Sequence, residues 1–139
     1  MRLTVKLPTL RLDCVVNGKL CGRCCYNTEM PLTLGDVNRI KRLGFSESHF
    51  IDKVGGLPRL RNVEGHCVFL NPHLNSCTIY PMRPEGCRLY PLLYDLECGK
   101  VTVDPLCPQS HTIPKWHARK LSKTLLNLVS RLERERGFQ

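Results

Sequence analysis

Nine cysteines in 139 residues are the feature that most constrains what this chain can fold into. Cys14 and the run 21–25, which reads Cys-Gly-Arg-Cys-Cys, place four of them close together. The other five follow at wider spacing, as Cys67, Cys77, Cys87, Cys98 and Cys107. Aromatic residues make up only 6% of the chain, and ten prolines and ten glycines leave little room for long core-building elements. We therefore expect ligation by cysteine to supply stability that burial of apolar surface alone does not.

The chemistry of these cysteines depends on the compartment in which the chain folds. Charges interrupt the apolar residues of segment 1–8, which argues against a secretory signal peptide, and no stretch approaches the ~20 apolar residues of a membrane span. We therefore expect a cytoplasmic protein with no membrane partner, whose reduced cysteines bind metal. Disulfides stay open as an alternative, because intracellular proteins of hyperthermophiles contain them.

The Cys-x-x-Cys unit formed by Cys21 and Cys24 is the strongest local signal. Two thiolates at this spacing can converge from one tight turn on a tetrahedral metal, and Gly22 permits the backbone conformation that such a turn needs. The same spacing also resembles a thioredoxin-type redox pair, which would require a strand leading into a helix at this point. Because Cys25 adjoins Cys24, the two side chains either serve separate metals or bend around one bulky cluster.

The cysteine count suggests how the ligands divide. Cys98 lies at the tip of a predicted hairpin and is the expected bystander, whereas His66, next to Cys67, is a candidate substitute ligand. Eight cysteines remain, enough for two four-cysteine sites or for one cluster and one structural metal. The predicted metal ligands are Cys14, Cys21, Cys24, Cys25, Cys67, Cys77, Cys87 and Cys107. Both a 4Fe-4S iron–sulfur cluster and zinc accept thiolate ligation, and the contiguous cysteines favour the iron–sulfur cluster.

The formal net charge of +9 is a second global feature, and it suggests a polyanionic partner such as nucleic acid. Metal-bound cysteines are thiolates, however, so each four-thiolate site with a divalent ion adds −4 and +2. One such site lowers the net charge to +7, and two lower it to +5. Nucleic acid therefore stays open as a partner, and another protein is the favoured one.

The local patterns predict an α+β fold, a small irregular metal-stabilised domain with short β-hairpins, a helical hairpin and a C-terminal amphipathic helix. Segment 2–7 alternates weakly and is predicted as a strand. Thr33 and Ser46 can each cap a helix, the first over Leu34–Leu43 and the second over Glu47–Val54. These two helices would form the helical hairpin.

Two β-hairpins are predicted in the second half of the chain. Cys67–Leu70 and Cys77–Tyr80 form one, and Leu92–Leu96 and Lys100–Val103 form the other. A short helical turn is expected around Cys87, between prolines.

From Pro114 onward the pattern is that of an amphipathic helix. Apolar residues recur at spacings of 3 and 4, as Ala118, Leu121, Leu125, Leu128 and Leu132. We assign residues 1–112 to a cysteine-cluster metal-binding domain. Residues 113–139 are predicted to be a basic helix packed on that same domain.

The order of these motifs resembles one known family. The cysteine loop 14–25, the segment Thr33–Ile40, Cys67-Val-Phe-Leu and the stretch Cys77–Pro91 resemble the YkgJ-type CxxCxxCC cysteine-cluster family, over residues 11–108. That family is described as a zinc- or iron-chelating domain. The family's opening motif is usually Cys-x-x-Cys-x-x-Cys-Cys, whereas six residues separate Cys14 from Cys21 here.

The resemblance implies a metal site at the matching cysteines. These are Cys21, Cys24, Cys25, Cys67, Cys77 and Cys87. Arg83 and Arg88 flank Cys87, where guanidinium groups would offset thiolate charge and hydrogen-bond sulfur. A bacterial flagellin lysine methylase related to the family carries such cysteines as an iron–sulfur centre, which adds weight to iron.

Three functions are compatible with these features. The favoured one is a metal-binding protein with a structural or electron-transfer role and a protein partner. The second is a cluster-dependent enzyme or methyl-transfer component, for which the sequence offers no catalytic residue that we can name. The third is a zinc-containing protein that binds nucleic acid through its basic C-terminal helix.

Overall fold

The structure is a computed structural model that describes residues 15–16, 19–20, 23–54, 56–95, 97–105 and 107–137. The strand predicted over residues 2–7 and the predicted ligands Cys14 and Cys21 lie outside these residues.

Short elements and turns make up most of the described chain, and one long helix ends it. The α-helices are α1 Leu34–Arg42, α2 Glu47–Phe50, α3 Glu85–Leu89 and α4 Lys115–Gly137. The antiparallel strand pairs are β1 Val15–Val16 with β2 Lys19–Leu20, β3 Ile51–Val54 with β4 Leu57–Leu60, β5 Asn62–Val63 with β6 His66–Cys67, β7 Leu70–Asn71 with β8 Ser76–Cys77, and β9 Leu92–Asp95 with β10 Lys100–Val103. Three 3-10 turns cover Arg23–Cys25, Tyr80–Met82 and Ser110–Thr112. The observed mixture agrees with the predicted α+β class.

Helix α1 begins as its capping residue predicts. The Thr33 hydroxyl oxygen accepts a hydrogen bond from the backbone N–H of Asp36 at 3.0 Å, and the Asp36 carboxylate accepts one from the backbone N–H of Thr33 at 3.0 Å. This reciprocal pair satisfies two N–H groups that the first turn leaves without helical partners. The helix ends before Gly44, whose φ of 104° reverses the chain.

The second predicted helix is wrong beyond Phe50. Residues Ile51–Val54 form strand β3, which pairs with β4 so that Ile51 lies opposite Leu60. Two features of the structure stabilise this strand. Gly56 adopts a φ of 83° in the turn between the strands, and the pairing buries Leu60, which also donates its backbone N–H to the Met30 carbonyl at 3.0 Å. The helical hairpin is therefore reduced to α1 and the single turn of α2.

The central hairpin is shorter than predicted and is divided differently. Only Leu70–Asn71 and Ser76–Cys77 pair with each other. Cys67 belongs to strand β6, which pairs with β5 in a separate hairpin. The Asn71 carboxamide oxygen accepts backbone hydrogen bonds from His73 and Leu74 at 3.0 and 3.2 Å and so closes the turn early. The predicted hairpin of β9 and β10 and the helical turn around Cys87 are both observed.

Two apolar clusters organise the described residues. The first surrounds α1 and the central hairpins, and its buried members are Leu32, Val37, Ile40, Phe50, Leu60, Cys67, Phe69, Leu70 and Ile79. The second lies under α4, and its buried members are Leu89, Leu92, Leu121, Leu125, Leu128 and Leu132. The leucines of α4 that form the apolar repeat of the predicted amphipathic helix are thus buried. Helix α4 packs on β9, α3, β10 and β4.

No helix in the described ranges is both long and apolar enough to cross a bilayer.

Gly86 in α3 provides a test of the packing between the helix that carries Cys87 and the segment before α1. A Cβ at Gly86 would overlap Sδ of Met30, whereas a Cβ at Gly35 in α1 would meet no heavy atom nearer than 3.4 Å. We expect Gly86→Ala to lower the free energy of unfolding by no more than about 1 kcal/mol, because the flexible side chain of Met30 can move aside at small cost. Gly35→Ala should be neutral or stabilise by up to ~1 kcal/mol, because alanine has the higher helix propensity. Urea denaturation measures both.

The cost of Gly86→Ala should shrink when it is combined with Met30→Ala, since the clashing atoms are then absent. Equal losses with and without the Met30→Ala substitution would show that another contact excludes the side chain.

Candidate metal centre

Five of the predicted ligands come together in the structure, although they belong to four separate segments. Cys24 and Cys25 lie in the first 3-10 turn, Cys67 ends β6, Cys77 ends β8 and Cys87 lies in α3. The charges of Cys24, Cys67 and Cys77 all act on the thiol of Cys87, and those of Cys67 and Cys77 act on Cys25. These five sulfurs therefore form one electrostatically linked group, which we call the thiol group.

Backbone hydrogen bonds between loops hold the thiol group in place. The N–H of Asn27 donates to the carbonyl of Gly65 at 2.8 Å, and Tyr26 forms an isolated β-bridge with His66. These contacts bring the turn with Cys24 and Cys25 beside the hairpin that carries Cys67. The N–H of Thr78 donates to the carbonyl of Phe69 at 2.7 Å, which keeps Cys77 near the same hairpin.

The two adjacent cysteines interact directly. A hydrogen bond from the Cys25 thiol lowers the pKa of Cys24 to about 7, below its ordinary value of 9.0. The same hydrogen bond raises the pKa of Cys25, and burial and the neighbouring charges add to that rise. The exposed Cys24 is therefore the thiol of this pair that ionises first.

The other three thiols are harder to ionise because they are shielded from water. Burial raises the pKa of Cys67 to about 11, and it raises the pKa values of Cys77 and Cys87 as well. Neighbouring thiolates raise all three further. Ionising these thiols together is therefore unfavourable unless a cation neutralises their charges. A bound metal would reverse the shifts, because a coordinated thiol is deprotonated outright.

The donor set fits the metals that the sequence predicts. Several thiolate sulfurs are soft ligands of the kind that zinc and iron–sulfur clusters take, and no carboxylate is needed to complete such a set. Among the residues that the structure describes, however, no three His, Cys, Asp or Glu side chains are already arranged to hold a metal ion. The ligand set therefore stays a prediction, and it includes Cys14 and Cys21 outside those residues.

The two arginines beside Cys87 have different surroundings. The Arg83 guanidinium lies 3.7 Å from the centre of the Tyr80 ring, and its charge lowers the pKa values of Cys24 and Cys77 against the effect of burial. Arg88 is buried and donates to backbone carbonyls of Pro81 and Arg83. Arg83 thus acts on two of the thiols, and these two hydrogen bonds of Arg88 support the turn between β8 and α3.

Helix α3, which carries Cys87, is anchored by charged residues that sequence reasoning did not identify. The buried Asp36 carboxylate accepts the backbone N–H of Glu85 at 3.0 Å and also pairs with Arg39. The Glu85 carboxylate accepts two hydrogen bonds from Arg131 of α4, at 2.6 and 3.0 Å, and one from the Thr33 hydroxyl at 3.3 Å. Three helices therefore meet next to Cys87. Only Thr33, the predicted cap of α1, had a sequence signal.

The pKa values of the two acids move in opposite directions. Burial raises the pKa of Asp36 even though hydrogen bonds and Arg39 oppose the change. Partial burial would also raise the pKa of Glu85, but the hydrogen bonds and charge of Arg131 outweigh it, and the net shift is downward. Glu85 is thus held as a carboxylate by its partner from α4.

The remaining candidates lie in different environments. Cys107 is buried near Tyr90, whose hydroxyl donates to Asp104 at 2.6 Å. Burial and that hydrogen bond raise the pKa of Tyr90, and the charges of Cys107 and Cys24 add to the rise. Tyr90 is therefore within electrostatic reach of both cysteines. Cys98 is exposed at the β9–β10 tip, where the sequence predicts a bystander.

His66, the candidate substitute ligand, has one ring nitrogen in use. Its Nδ1 lies 2.9 Å from the carbonyl oxygen of Cys67, within hydrogen-bonding distance.

The ion pair between Glu85 and Arg131 can be measured by a double-mutant cycle. We expect Glu85→Gln and Arg131→Met to show a coupling free energy of about 1–3 kcal/mol in chemical denaturation, because the pair is bidentate and Glu85 is largely buried. The exposed pair of Lys41 and Glu47, at 3.3 Å, is the matched control and should couple by less than about 0.5 kcal/mol. Similar coupling in the two pairs would contradict the anchoring of α3 by α4.

Comparison with known proteins bears on the whole cysteine pattern. A family model described as "CxxCxxCC: Putative zinc- or iron-chelating domain" matches residues 14–124. The match begins at Cys14 and extends into α4, further than the resemblance over residues 11–108. An uncharacterized protein of Methanocaldococcus jannaschii is 29% identical over 108 residues, which are 71% of this chain and 59% of the relative. The chain thus spans about three fifths of that relative's length. No solved structure matches significantly.

Proposed function

The chain belongs to the CxxCxxCC family of zinc- or iron-chelating domains, and we propose that its cysteines bind an iron–sulfur cluster in a structural or electron-transfer role with a protein partner. The observation that carries this proposal is the thiol group itself. Electrostatic interactions link five sulfurs from four segments, and the pKa values of all of them except Cys24 are raised.

The residues that would hold the cluster are those whose sulfurs already interact. Cys24, Cys25, Cys67, Cys77 and Cys87 supply five candidates, and Cys14, Cys21 and Cys107 complete the predicted set. Adjacent Cys24 and Cys25 favour a cluster with several metal atoms over a single ion, because two neighbouring sulfurs can then ligate different iron atoms. When bound, an iron–sulfur cluster supplies reversible one-electron transfer.

The exposed residues around Cys24 favour a protein partner that binds beside this cysteine. Cys24 is exposed, and so are the rings of Tyr26 and Tyr80. Arg83 stacks on Tyr80 and places a positive charge beside the thiols. Exposed aromatic rings and an arginine are residue types enriched where proteins meet, and electron transfer needs a donor or acceptor close to the cluster.

A structural zinc site is the second candidate, and the scarcity of regular structure favours it. The thiol group joins segments that otherwise contain only two-residue strands and single helical turns. A zinc ion bound by four of these thiolates would crosslink them without redox chemistry.

Metal analysis of protein purified without oxygen distinguishes the two metals. We expect a coloured protein with iron and acid-labile sulfide in comparable amounts, and we expect the colour to bleach in air or with a strong chelator. A colourless protein with stoichiometric zinc and no labile sulfide would support the structural zinc site and overturn the cluster.

Single cysteine substitutions test the assignment of ligands. Cys24→Ser and Cys87→Ser should each lose metal and lower the melting temperature by about 10 °C, because metal-binding free energy contributes to folding free energy. Cys98→Ser is the matched control, and we expect it to retain metal content and melting temperature, since Cys98 is exposed at a hairpin tip. Full metal content in both Cys24→Ser and Cys87→Ser would remove them from the ligand set.

A further inference from the structure

The outer face of α4 is a surface that metal binding does not explain. The leucines at positions 121, 125, 128 and 132 are buried against the rest of the domain, with at most 8% of each exposed. At 3.6 residues per turn, the residues about half a turn away from these leucines form the opposite side of the helix. This outer face carries Trp116, Arg119, Lys120, Lys123, Asn127, Ser130 and Arg134, and all of them are exposed. At ~1.5 Å per residue, it is about 27 Å long.

The charge of this face has one sign over most of its length. Residues 105–132 contain five lysines and arginines and no aspartate or glutamate. One of the five, Arg131, pairs with Glu85, so four remain on α4, at positions 115, 119, 120 and 123. The first acidic residues of the helix are Glu133 and Glu135, near its end, and Glu135 accepts the backbone N–H of Leu34 at 3.1 Å. The first half of the outer face is therefore a strip of unbalanced positive charge.

Trp116 lies at the beginning of this strip. It is the only tryptophan of the chain, and 65% of its surface is exposed. The His117 ring stacks on the indole, with ring centres 5.1 Å apart and planes 17° from parallel. Arg119 and Lys120 follow at three and four residues, so their cationic groups lie on the same side of the helix as the indole. A large apolar ring is thus displayed to solvent among cations.

We propose that the outer face of α4 binds single-stranded nucleic acid, with Trp116 stacking on a base and Arg119, Lys120 and Lys123 contacting phosphates. Exposed aromatic rings combined with a basic track are the two elements from which sequence-tolerant binding of single strands is built. Duplex DNA fits less well, because a stacking ring has no unpaired base to contact. The proposal does not depend on which metal the cysteines bind.

A basic helix with a tryptophan can also bind an anionic membrane, and the structure favours that partner less. A helix that lies in a membrane inserts a broad apolar face. In α4 that face is already buried against the domain, and the exposed apolar side chains of the helix are Trp116 and Leu126. Two such side chains supply little apolar surface for insertion.

The single tryptophan makes the proposal directly measurable in the intact, metal-loaded chain. We would titrate fluorescein-labelled oligothymidylate and oligouridylate of about 12 nucleotides and follow both label anisotropy and Trp116 emission at ~50 mM salt. Binding should quench Trp116, since stacking on a base brings the indole into contact with it. Affinity should fall as salt rises, with a slope of log affinity against log salt of about −0.7 for each phosphate contact.

Substitutions separate stacking from charge. Trp116→Ala should weaken binding by roughly 5- to 150-fold with little change in the salt slope, and Trp116→Phe should restore most of the affinity. Lys120→Glu with Lys123→Glu should weaken binding and reduce the slope by about 1.4. The matched control, Arg42→Glu with Lys53→Glu, changes the net charge equally at exposed positions of other elements and should have a much smaller effect.

Several outcomes would overturn the proposal. One is the absence of binding at ~50 mM salt. Another is oligonucleotide binding that is unchanged in Trp116→Ala and that heparin displaces as well as unlabelled oligonucleotide does. That result would show general attraction of polyanions. A third is a blue shift of Trp116 emission with vesicles of phosphatidylglycerol and phosphatidylcholine, without any response to the oligonucleotides. Because Trp116 is exposed, melting temperatures of its variants should match the wild type, so a loss of binding cannot be attributed to unfolding.

Discussion

The shielding of several thiols at one point is the constraint on which the rest of the structure depends. A buried thiol resists ionisation, and each additional thiolate nearby raises the pKa of the others, as Cys67, Cys77 and Cys87 show. Such a group ionises fully only when a cation binds. The short strands and turns around it bury modest apolar surface, so metal binding and folding are expected to be coupled.

The long helix α4 stabilises this region from outside. Its leucines bury one face against β9 and α3, and Arg131 binds the carboxylate of Glu85 two residues before Cys87. The same helix therefore supports the thiol group on its inner side and displays charge and an indole on its outer side. These roles use different side chains, so a change on the outer face leaves the packing of the inner face intact.

Local signals in the sequence predicted the elements whose stability is local. The cap of Thr33 and Asp36 defined the start of α1, and the leucine spacing defined α4, because both depend on residues within one or two turns. Residues Ile51–Val54 were wrongly predicted as helix. Their strand depends on pairing with β4 and on burial of Leu60, which compete with a capped helical pattern. Arg88 similarly binds backbone carbonyls that its position beside Cys87 did not reveal.

By itself, the sequence determined the chemistry of this protein: the number and spacing of cysteines, the family to which they belong and the charge of the last helix. The tertiary structure alone decided which of these groups meet. Cys24 and Cys87 are 63 residues apart, and Glu85 and Arg131 are 46 apart. The reason is physical. Ligand type and helix capping are properties of a residue and its near neighbours, whereas contacts over such separations depend on how every intervening turn directs the chain.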